Sequence, residues 1–300
     1  MKLFVTGASG WVGSAVVPEL LGAGHQVLGL ARSDASADAL AKVGADVHRG
    51  DLADLDSLRS GAKAADGVIH LAFHHDFDNF TDAGELDRQA ITALGETLAD
   101  SGRPLVITSG TAGHAVGQVL TEDQPANPQS PRVSEQAALA FADRGVRVSI
   151  VRLAPTVHGN GDHGFVPRLI DIARDTGVAA YVGDGANRWS AVHRDDAAVL
   201  FRLAVEAPTG SVLHAIGEEG VPTRDIAATI GRHLALPVTS VAPERAIEHF
   251  GWLGAFFALD IPASSAITRQ RLGWQPTGIG LLEDLDQGHY FATHANRPSA

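Results

Sequence analysis

Apolar runs alternate with amphipathic stretches along the first half of the chain, and this alternation predicts the fold. Short apolar runs bounded by polar or glycine residues predict buried strands over residues 3–5, 26–30, 46–49, 68–72 and 105–109. The stretches over 37–42, 55–61 and 86–100 carry apolar residues at helical spacing. Strands that alternate with helices form a parallel sheet joined by right-handed crossovers. We therefore expect an α/β fold, with a further helix over 133–144 and a strand over 147–153.

Three glycines closely follow the first predicted strand. They stand in the run T-G-A-S-G-W-V-G, from Thr6 to Gly13, which leads into an amphipathic stretch. The first glycine makes a tight turn, the second lets backbone N–H groups approach a pyrophosphate, and the third lets the helix pack close to the sheet. The diphosphate of a dinucleotide would then lie at the N-terminus of the helix. The residues expected to hold it are Gly7, Ser9, Gly10, Trp11, Val12 and Gly13.

The end of the second strand predicts which dinucleotide is bound. NAD-binding Rossmann sites place an acidic residue here, which bonds the ribose hydroxyls. This chain has Ala31, Arg32 and Ser33 instead, and a guanidinium suits the 2′-phosphate of NADP(H). Alternatively, Arg32 is a solvated residue before a helix-capping serine, and Asp34 takes the ribose if the strand ends later. NADP(H) is the expected cofactor, with Arg32 and Ser33 as contacts.

Two further strand ends supply expected cofactor contacts. Asp51 and Leu52 close the third strand, where the Asp51 carboxylate can accept from an adenine amino group or cap the following helix. The fourth strand would run beneath the cofactor, with the small Ala72 permitting a close approach and Leu71 and Phe73 beside it.

Length and composition limit the partners of the chain. Its 300 residues suffice for one large domain or for a domain with a small lobe. The net charge of −12 argues against nucleic acid and anionic membranes as partners, so a small-molecule substrate is expected. Cysteine is absent, which excludes disulfides and thiol catalysis. No apolar run is long enough to span a bilayer and no leader precedes the first strand, so a cytoplasmic location is expected.

Motifs spread over nearly the whole chain resemble the short-chain dehydrogenase/reductase superfamily, in its extended, epimerase/dehydratase-like branch. They comprise the glycine turn and the segments at 50–52, 68–72, 108–109, 152–159, 192–196 and 272–276. The resemblance implies a Rossmann-type doubly wound parallel sheet with a small C-terminal substrate-binding lobe. Residues 1–155 would form the NADP-binding domain, to which a strand and a helix from about 190–216 return, and residues 156–300 would form mainly the lobe. The resemblance also implies that Pro155 and Val157 lie beside the nicotinamide.

The chain lacks the catalytic pair that this superfamily normally uses, a tyrosine followed four residues later by a lysine. Its tyrosines are Tyr181 and Tyr290, and its lysines all lie in the first quarter of the chain. Aligned on the segment 128–131, the tyrosine position holds Arg132 and the lysine position holds Gln136. The chain therefore resembles atypical members, which keep the cofactor fold without the pair.

Candidate replacements for this pair are polar residues expected near the nicotinamide. The family's serine position falls near Ser109 and Thr111, and its asparagine position at Asp87. To donate a proton, Asp87 would need a pKa strongly raised by burial. Arg132 polarises a carbonyl or binds an anion, or it lies on the surface at the start of a helix.

A histidine pair directly follows the fourth strand. His75 either faces the substrate or lies in a surface loop. A metal site with His74 and Asp76 is a weaker alternative, because no third ligand is apparent. We therefore expect no metal, and His75 joins the candidate catalytic residues.

His158, Phe165 and Trp189 are expected to line the substrate pocket. In nucleotide-sugar enzymes of the branch, the resemblance implies an arginine near Trp189 that clamps the substrate diphosphate. A tryptophan in its place indicates an apolar pocket, although core packing is the alternative role for these aromatic residues.

These observations favour an NADP-dependent reductase that transfers hydride to a small, uncharged carbonyl or imine substrate. The missing pair leaves two alternatives, a non-enzymatic NADP(H)-binding regulator or redox sensor, and an epimerase or dehydratase.

The helices over 86–100 and 133–144 match those that pair across a two-fold axis in this superfamily, so a homodimer is expected. Small and apolar residues expected at that interface are Ala137, Ala138, Leu139, Phe141 and Ala142.

Overall fold

A computed structural model describes residues 1–74, 79–112, 114, 116–128, 130 and 132–292. In chain order, the first half contains β1 (Lys2–Thr6), α1 (Gly13–Gly22), β2 (Gln26–Ala31), α2 (Asp34–Lys42), β3 (Asp46–Arg49), α3 (Leu55–Lys63), β4 (Gly67–His70), α4 (Phe80–Leu98), β5 (Pro104–Gly110), α5 (Ser134–Leu139) and β6 (Arg147–Leu153). The second half contains β7 (Thr156–His158), α6 (Phe165–Thr176), β8 (Ala179–Val182), β9 (Arg188–His193), α7 (Arg194–Ala204), β10 (Ser211–Ala215), β11 (Glu218–Pro222), α8 (Thr223–Leu234), β12 (Val238–Val241), α9 (Ala246–Phe250), α10 (Leu253–Phe257), α11 (Ala266–Leu272) and α12 (Leu281–Asp286). Short 3₁₀ turns occupy Ala142–Arg144, Pro243–Arg245 and His289–Phe291.

The central layer is a seven-stranded sheet in the order β10-β6-β5-β4-β1-β2-β3. Each strand runs parallel to its neighbours. The chain first adds β2 and β3 on one side of β1 and then continues with β4 on the other side, so the strand order reverses between β1 and β4. Ligands of such sheets bind at this reversal, outside the carboxyl ends of the strands. The Rossmann-type α/β fold predicted from the sequence is therefore confirmed.

Smaller sheets follow β6. Strands β7, β9 and β11 form one sheet, and β8 pairs with β12 in another. Residues 190–216 were expected to return to the main sheet. Within them, β10 pairs with β6 and α7 packs against α1, but β9 belongs to the small sheet. A separate apolar core, which includes Ile170, Trp189 and Phe257, lies in this part of the chain.

The helix predicted over 133–144 is shorter than expected. Helix α5 ends at Leu139, and a 3₁₀ turn follows at Ala142–Arg144. Phe141, between them, turns inward against Gly95 of α4, where an added Cβ would lie 2.4 Å from the phenyl ring. Tertiary packing of this one side chain thus interrupts the helix.

The expected dimer face changes accordingly. Ala138 is buried and Phe141 is only 5% exposed, because both belong to the core of their own chain. Leu139, at 37% exposed, is the large apolar residue of α5 that remains available. The assignment of Ala138 and Phe141 to an interface is therefore wrong.

The homodimer itself stays a prediction. Light scattering at micromolar concentration is expected to give twice the 31.3 kDa of the chain, and Leu139→Asp is expected to lower that mass. A mass of one chain for the unmutated protein would contradict the expectation.

Within the described residues, no helix combines the length and the apolar character needed to cross a membrane.

Candidate active site

The glycine turn after β1 has the shape of a diphosphate cradle. Gly7 has a φ of +64°, and a Cβ there would lie 2.7 Å from the backbone N of Ala72. A Cβ on Gly13 would lie 2.1 Å from the carbonyl oxygen of Gly7, so both positions require glycine. Gly10 is exposed, and no side chain caps α1. The N–H groups of Ser14, Ala15 and Val16 donate to the carbonyl oxygens of Gly10 and Val12. These features fit a bound dinucleotide diphosphate.

Trp11 connects this turn to the segment after β6. Its indole N–H donates to the carbonyl oxygen of Val157 at 2.8 Å. The guanidinium of Arg194 lies 4.2 Å from the centre of the indole ring, and His163 contacts the ring edge to face at 5.7 Å. The side chain is thus occupied by protein contacts, and a cofactor would meet the backbone of Trp11.

The end of β2 carries an exposed cation, Arg32. The strand ends at Ala31, and Ser33 caps α2 by accepting from the N–H of Ser36. Asp34 is the first residue of α2 and pairs with Arg49 at 2.5 Å, so the strand does not extend to it. The side chain of Arg32 is 78% exposed, with its Nε 3.8 Å from a carboxylate oxygen of Asp51. Arg32 therefore remains accessible to a ligand at this edge.

Asp51 does not cap α3. That helix is capped by Asp54, whose carboxylate accepts from two backbone N–H groups. Asp51 accepts instead from the N–H of Ala53 at 2.9 Å. Of its two expected roles, the capping role is therefore wrong. The other expected contacts Leu52, Leu71, Ala72, Phe73 and Pro155 are partly exposed along the carboxyl edge of the sheet.

Asp87 belongs to a buried polar chain that starts at β1. Its carboxylate accepts from the Nε2–H of His70 at 3.1 Å and from the hydroxyl of Ser134. Nδ1 of His70 lies 2.8 Å from the hydroxyl of Thr6. Burial raises the pKa of Asp87, but these hydrogen bonds and the charges of His70 and Arg132 outweigh burial and hold the pKa below its usual value. Asp87 is thus an ionised acceptor, and its expected role as a proton donor is wrong.

Arg132 is fixed beside this chain. Its Nη2 donates to the carbonyl oxygen of Thr108 at 2.8 Å and its Nε to the hydroxyl of Ser134 at 3.0 Å. The guanidinium stacks on the ring of Phe73, 4.1 Å from its centre. Because Thr108 and Phe73 lie at the carboxyl ends of β5 and β4, Arg132 is held at the crevice of the sheet rather than on the outer surface. No bond from its Nη1 to another described residue is found.

The two candidate hydroxyls lie next to acceptors of the protein itself. Thr111 donates to the carbonyl oxygen of Leu153 at 3.3 Å, and the Ser109 hydroxyl helps to lower the pKa of the Glu135 carboxyl. In this state the Thr111 hydroxyl offers a ligand its lone pairs rather than its proton.

A buried ion pair that the sequence did not reveal lies behind Ser109. Glu135 accepts from Nε and Nη2 of Arg152 at 2.9 and 2.8 Å, and Nη1 of Arg152 lies 3.3 Å from His214. Ser109, Arg152 and His214 stand side by side on β5, β6 and β10. In the sequence, Arg152 and His214 interrupt the otherwise apolar runs of β6 and β10, and this could have indicated a buried polar group.

We expect Glu135→Gln to destabilise the fold by about 3–5 kcal/mol, because it leaves the buried Arg152 without a counter-charge. Burial raises the pKa of Glu135, but the hydrogen bond and charge of Arg152 outweigh it and leave the pKa lowered. The pKa of Glu135 is therefore lower in the folded than in the unfolded protein. The ion pair stabilises the fold fully above the unfolded-state pKa of about 4.3, and this stabilisation is lost as the pH falls through the folded-state pKa. Urea unfolding across this pH range checks both effects. Glu85→Gln, which breaks a surface pair with Arg88, is the control and is expected to leave the midpoint nearly unchanged.

His75 lies outside the described residues, as does Asp76, and its expected role stays a prediction. Across the described part of the chain, no cluster of three histidine or acidic side chains is arranged to hold a metal ion.

His158 is buried under the second half of the chain. Its Nδ1 lies 2.9 Å from the carboxylate of Asp284, which also contacts His289. Next to it, the hydroxyl of Tyr290 accepts from the N–H of Gly159 and donates to Asp162. These bonds attach the C-terminal segment to the loop after β7 and fix the His158 ring. Its expected place on the wall of the substrate pocket stays a prediction.

Phe165 and Trp189 belong to an aromatic cluster. The ring centre of Phe165 lies 5.7 Å from Trp189, 5.9 Å from Trp252 and 5.0 Å from Phe256. Trp189 is completely buried and its N–H has no partner among the described residues, so it forms the base of the cluster. Phe165 and Phe256 are partly exposed and Trp252 is 42% exposed.

Comparisons with known proteins agree with this architecture. The model of the NAD-dependent epimerase/dehydratase family matches residues 3–215. An uncharacterized protein of Schizosaccharomyces pombe is 50% identical over 97% of this chain and 100% of its own length, and one of Saccharomyces cerevisiae is 49% identical over 95% and 98%. The 2-alkyl-3-oxoalkanoate reductase of Stenotrophomonas maltophilia is 31% identical over 69% of this chain and 66% of its own. The dTDP-glucose 4,6-dehydratase DesIV of Streptomyces venezuelae, solved with NAD bound, has a TM-score of 0.76 at 23% identity, covering 97% of both chains, which shows a shared fold.

Proposed function

Because the chain belongs to the NAD-dependent epimerase/dehydratase family, as its motifs indicated, we propose that it is an NADP(H)-dependent reductase of small, uncharged carbonyl or imine compounds. The observation that carries the proposal is the fixed guanidinium of Arg132 in the crevice of the sheet, beside a glycine turn shaped for a diphosphate. The reductase among the relatives supports this reaction class.

The cofactor would be held by groups already in place. The turn at Gly7, Gly10 and Gly13 and the uncapped start of α1 suit the diphosphate. The exposed Arg32 suits a 2′-phosphate, while Asp34, the nearest acidic residue in sequence, is paired with Arg49. When bound, the reduced nicotinamide supplies a hydride.

Arg132 would supply the electrophilic contact. Its guanidinium stays charged at every working pH, so it stabilises negative charge that develops on a substrate oxygen without giving up a proton. The ionised Asp87 balances this charge in the resting site, which favours a neutral substrate over a carboxylate.

The proton would come from water, or from an imine that is already protonated. Thr111 directs its proton to the carbonyl oxygen of Leu153, and the lowered pKa of Asp87 leaves its carboxyl without a proton to give. The Thr111 hydroxyl would instead accept from the substrate or from an ordered water, and so orient it.

A turnover panel tests the proposal. We expect NADPH to be consumed stoichiometrically with the formation of an alcohol or amine from neutral aldehydes, ketones or cyclic imines. An epimerase or dehydratase would change its substrate without net consumption of NADPH, and a regulator would bind NADPH without turnover. Either result would overturn the proposal.

A further inference from the structure

Ser134, the first residue of α5, joins Asp87 to Arg132. It is buried, at 1% exposed, and its hydroxyl donates to the carboxylate of Asp87. The oxygen of the same hydroxyl accepts from the Nε–H of Arg132 at 3.0 Å. A serine hydroxyl has one proton and two lone pairs. Because the carboxylate takes the proton, Ser134 presents only lone pairs to the guanidinium.

The direction of this proton follows from groups further along the buried polar chain. The hydroxyl of Thr6 accepts from the backbone N–H of Ala72 at 3.2 Å, so its proton is directed to Nδ1 of His70. In this arrangement His70 carries its own proton on Nε2 and donates it to Asp87. The ionised carboxylate then accepts on both oxygens, from His70 and from Ser134. One consistent set of donors therefore runs from β1 to Ser134.

The guanidinium of Arg132 is held at two points along one edge. Its Nε donates to Ser134 and its Nη2 to the carbonyl oxygen of Thr108, while the ring of Phe73 stacks on its plane. Because a guanidinium is planar and rigid, these two bonds give the third nitrogen, Nη1, a single direction. Without the bond to Ser134, the group is free to pivot about its contact with Thr108.

We infer that Ser134 is a positioning residue for the proposed reaction. It does not touch the substrate, but it holds the guanidinium so that Nη1 of Arg132 faces the substrate oxygen. This inference rests on the proposed reductase function, in which Arg132 stabilises negative charge that develops on that oxygen. A donor oriented in advance stabilises such charge without reorganisation, and a misplacement of about 1 Å slows a reaction by about 10²-fold.

Ser134→Ala tests the inference. This variant is expected to lower kcat with NADPH and a neutral aldehyde by about 10- to 100-fold and to leave KM nearly unchanged, because the oriented contact matters most in the transition state. The Nε–H NMR signal of Arg132 gives a second readout that needs no turnover. It is expected to shift and to exchange faster with water in Ser134→Ala. Ser134→Thr keeps the hydroxyl and is expected to retain the signal and most of kcat.

Ser265→Ala is the matched control. Ser265 is likewise buried, at 3% exposed, and accepts from Nε of Arg269 at 2.9 Å, but it precedes α11. The control is expected to shift the Arg269 signal and to leave both kcat and the Arg132 signal unchanged. The NADPH affinity of each variant, measured by calorimetry, reports whether its fold is intact.

The two readouts separate this inference from the proposed function. An unchanged Arg132 signal in folded Ser134→Ala, or a shifted signal with full kcat, would overturn the positioning role and leave the reductase standing. Loss of NADPH affinity together with kcat would show a structural role instead. If the unmutated protein reduces no carbonyl or imine, the reductase is overturned, and the Arg132 signal still decides whether Ser134 orients the guanidinium.

Discussion

Replacement of Arg132 with methionine is expected to lower kcat/KM about 10²- to 10³-fold, while NADPH affinity stays nearly unchanged. The guanidinium is the positive group fixed at the crevice by Thr108 and Ser134, and its contact with the substrate oxygen strengthens as negative charge develops there. Loss of one such preorganised donor in an enclosed site has an effect of this size. Steady-state kinetics with NADPH and the best aldehyde, beside calorimetry with NADPH, measure both quantities.

Stability is a necessary control for this variant. Arg132→Met removes one of the two positive groups beside the buried Asp87, so the double variant R132M/D87N, which also removes the carboxylate, is expected to fold better than the single one. Arg132→Lys keeps the charge but loses the stacking on Phe73 and the forked geometry, and an intermediate rate is expected. Full kcat/KM in a folded Arg132→Met protein would show that the oxygen is polarised elsewhere.

Removal of the Arg32 side chain is expected to weaken NADPH binding by about 10- to 150-fold and to leave NADH binding unchanged. A charge-assisted hydrogen bond to a 2′-phosphate contributes about 1.5–3 kcal/mol. The exposed guanidinium of Arg32 pairs only loosely with Asp51, at 3.8 Å, and both side chains are solvated. Calorimetric titration of Arg32→Ala with both nucleotides measures the change in preference.

Arg245→Ala is the matched control for Arg32. It also removes an exposed arginine, 70% accessible, but from the second half of the chain, where it pairs with Glu248. Equal affinity of the unmutated protein for NADPH and NADH would contradict the assignment of Arg32.

Local patterns in the sequence determined the fold class and the glycine turn at which we propose that the cofactor binds. The glycine turn could be recognised because its requirements are local: a strand, three glycines at fixed spacing and a helix. The contact that makes Gly7 obligatory is with Ala72, yet the parallel pairing of β1 with β4 brings these residues together in any fold of this class. The end of β2 could also be predicted locally: the strand ends at Ala31, so Arg32 follows it directly and Asp34 already belongs to α2.

Tertiary structure alone decided the polar groups of the candidate site and the length of α5. The ionised state of Asp87 depends on His70 and Ser134, which lie 17 and 47 residues away in sequence, and the helix-breaking position of Phe141 depends on Gly95. The ion pair of Glu135 with Arg152 requires α5 to pack on β6 at one particular register. Residue type gives a group its chemistry, but burial and neighbours from distant segments fix its charge and the direction of its proton, and no local pattern encodes those neighbours.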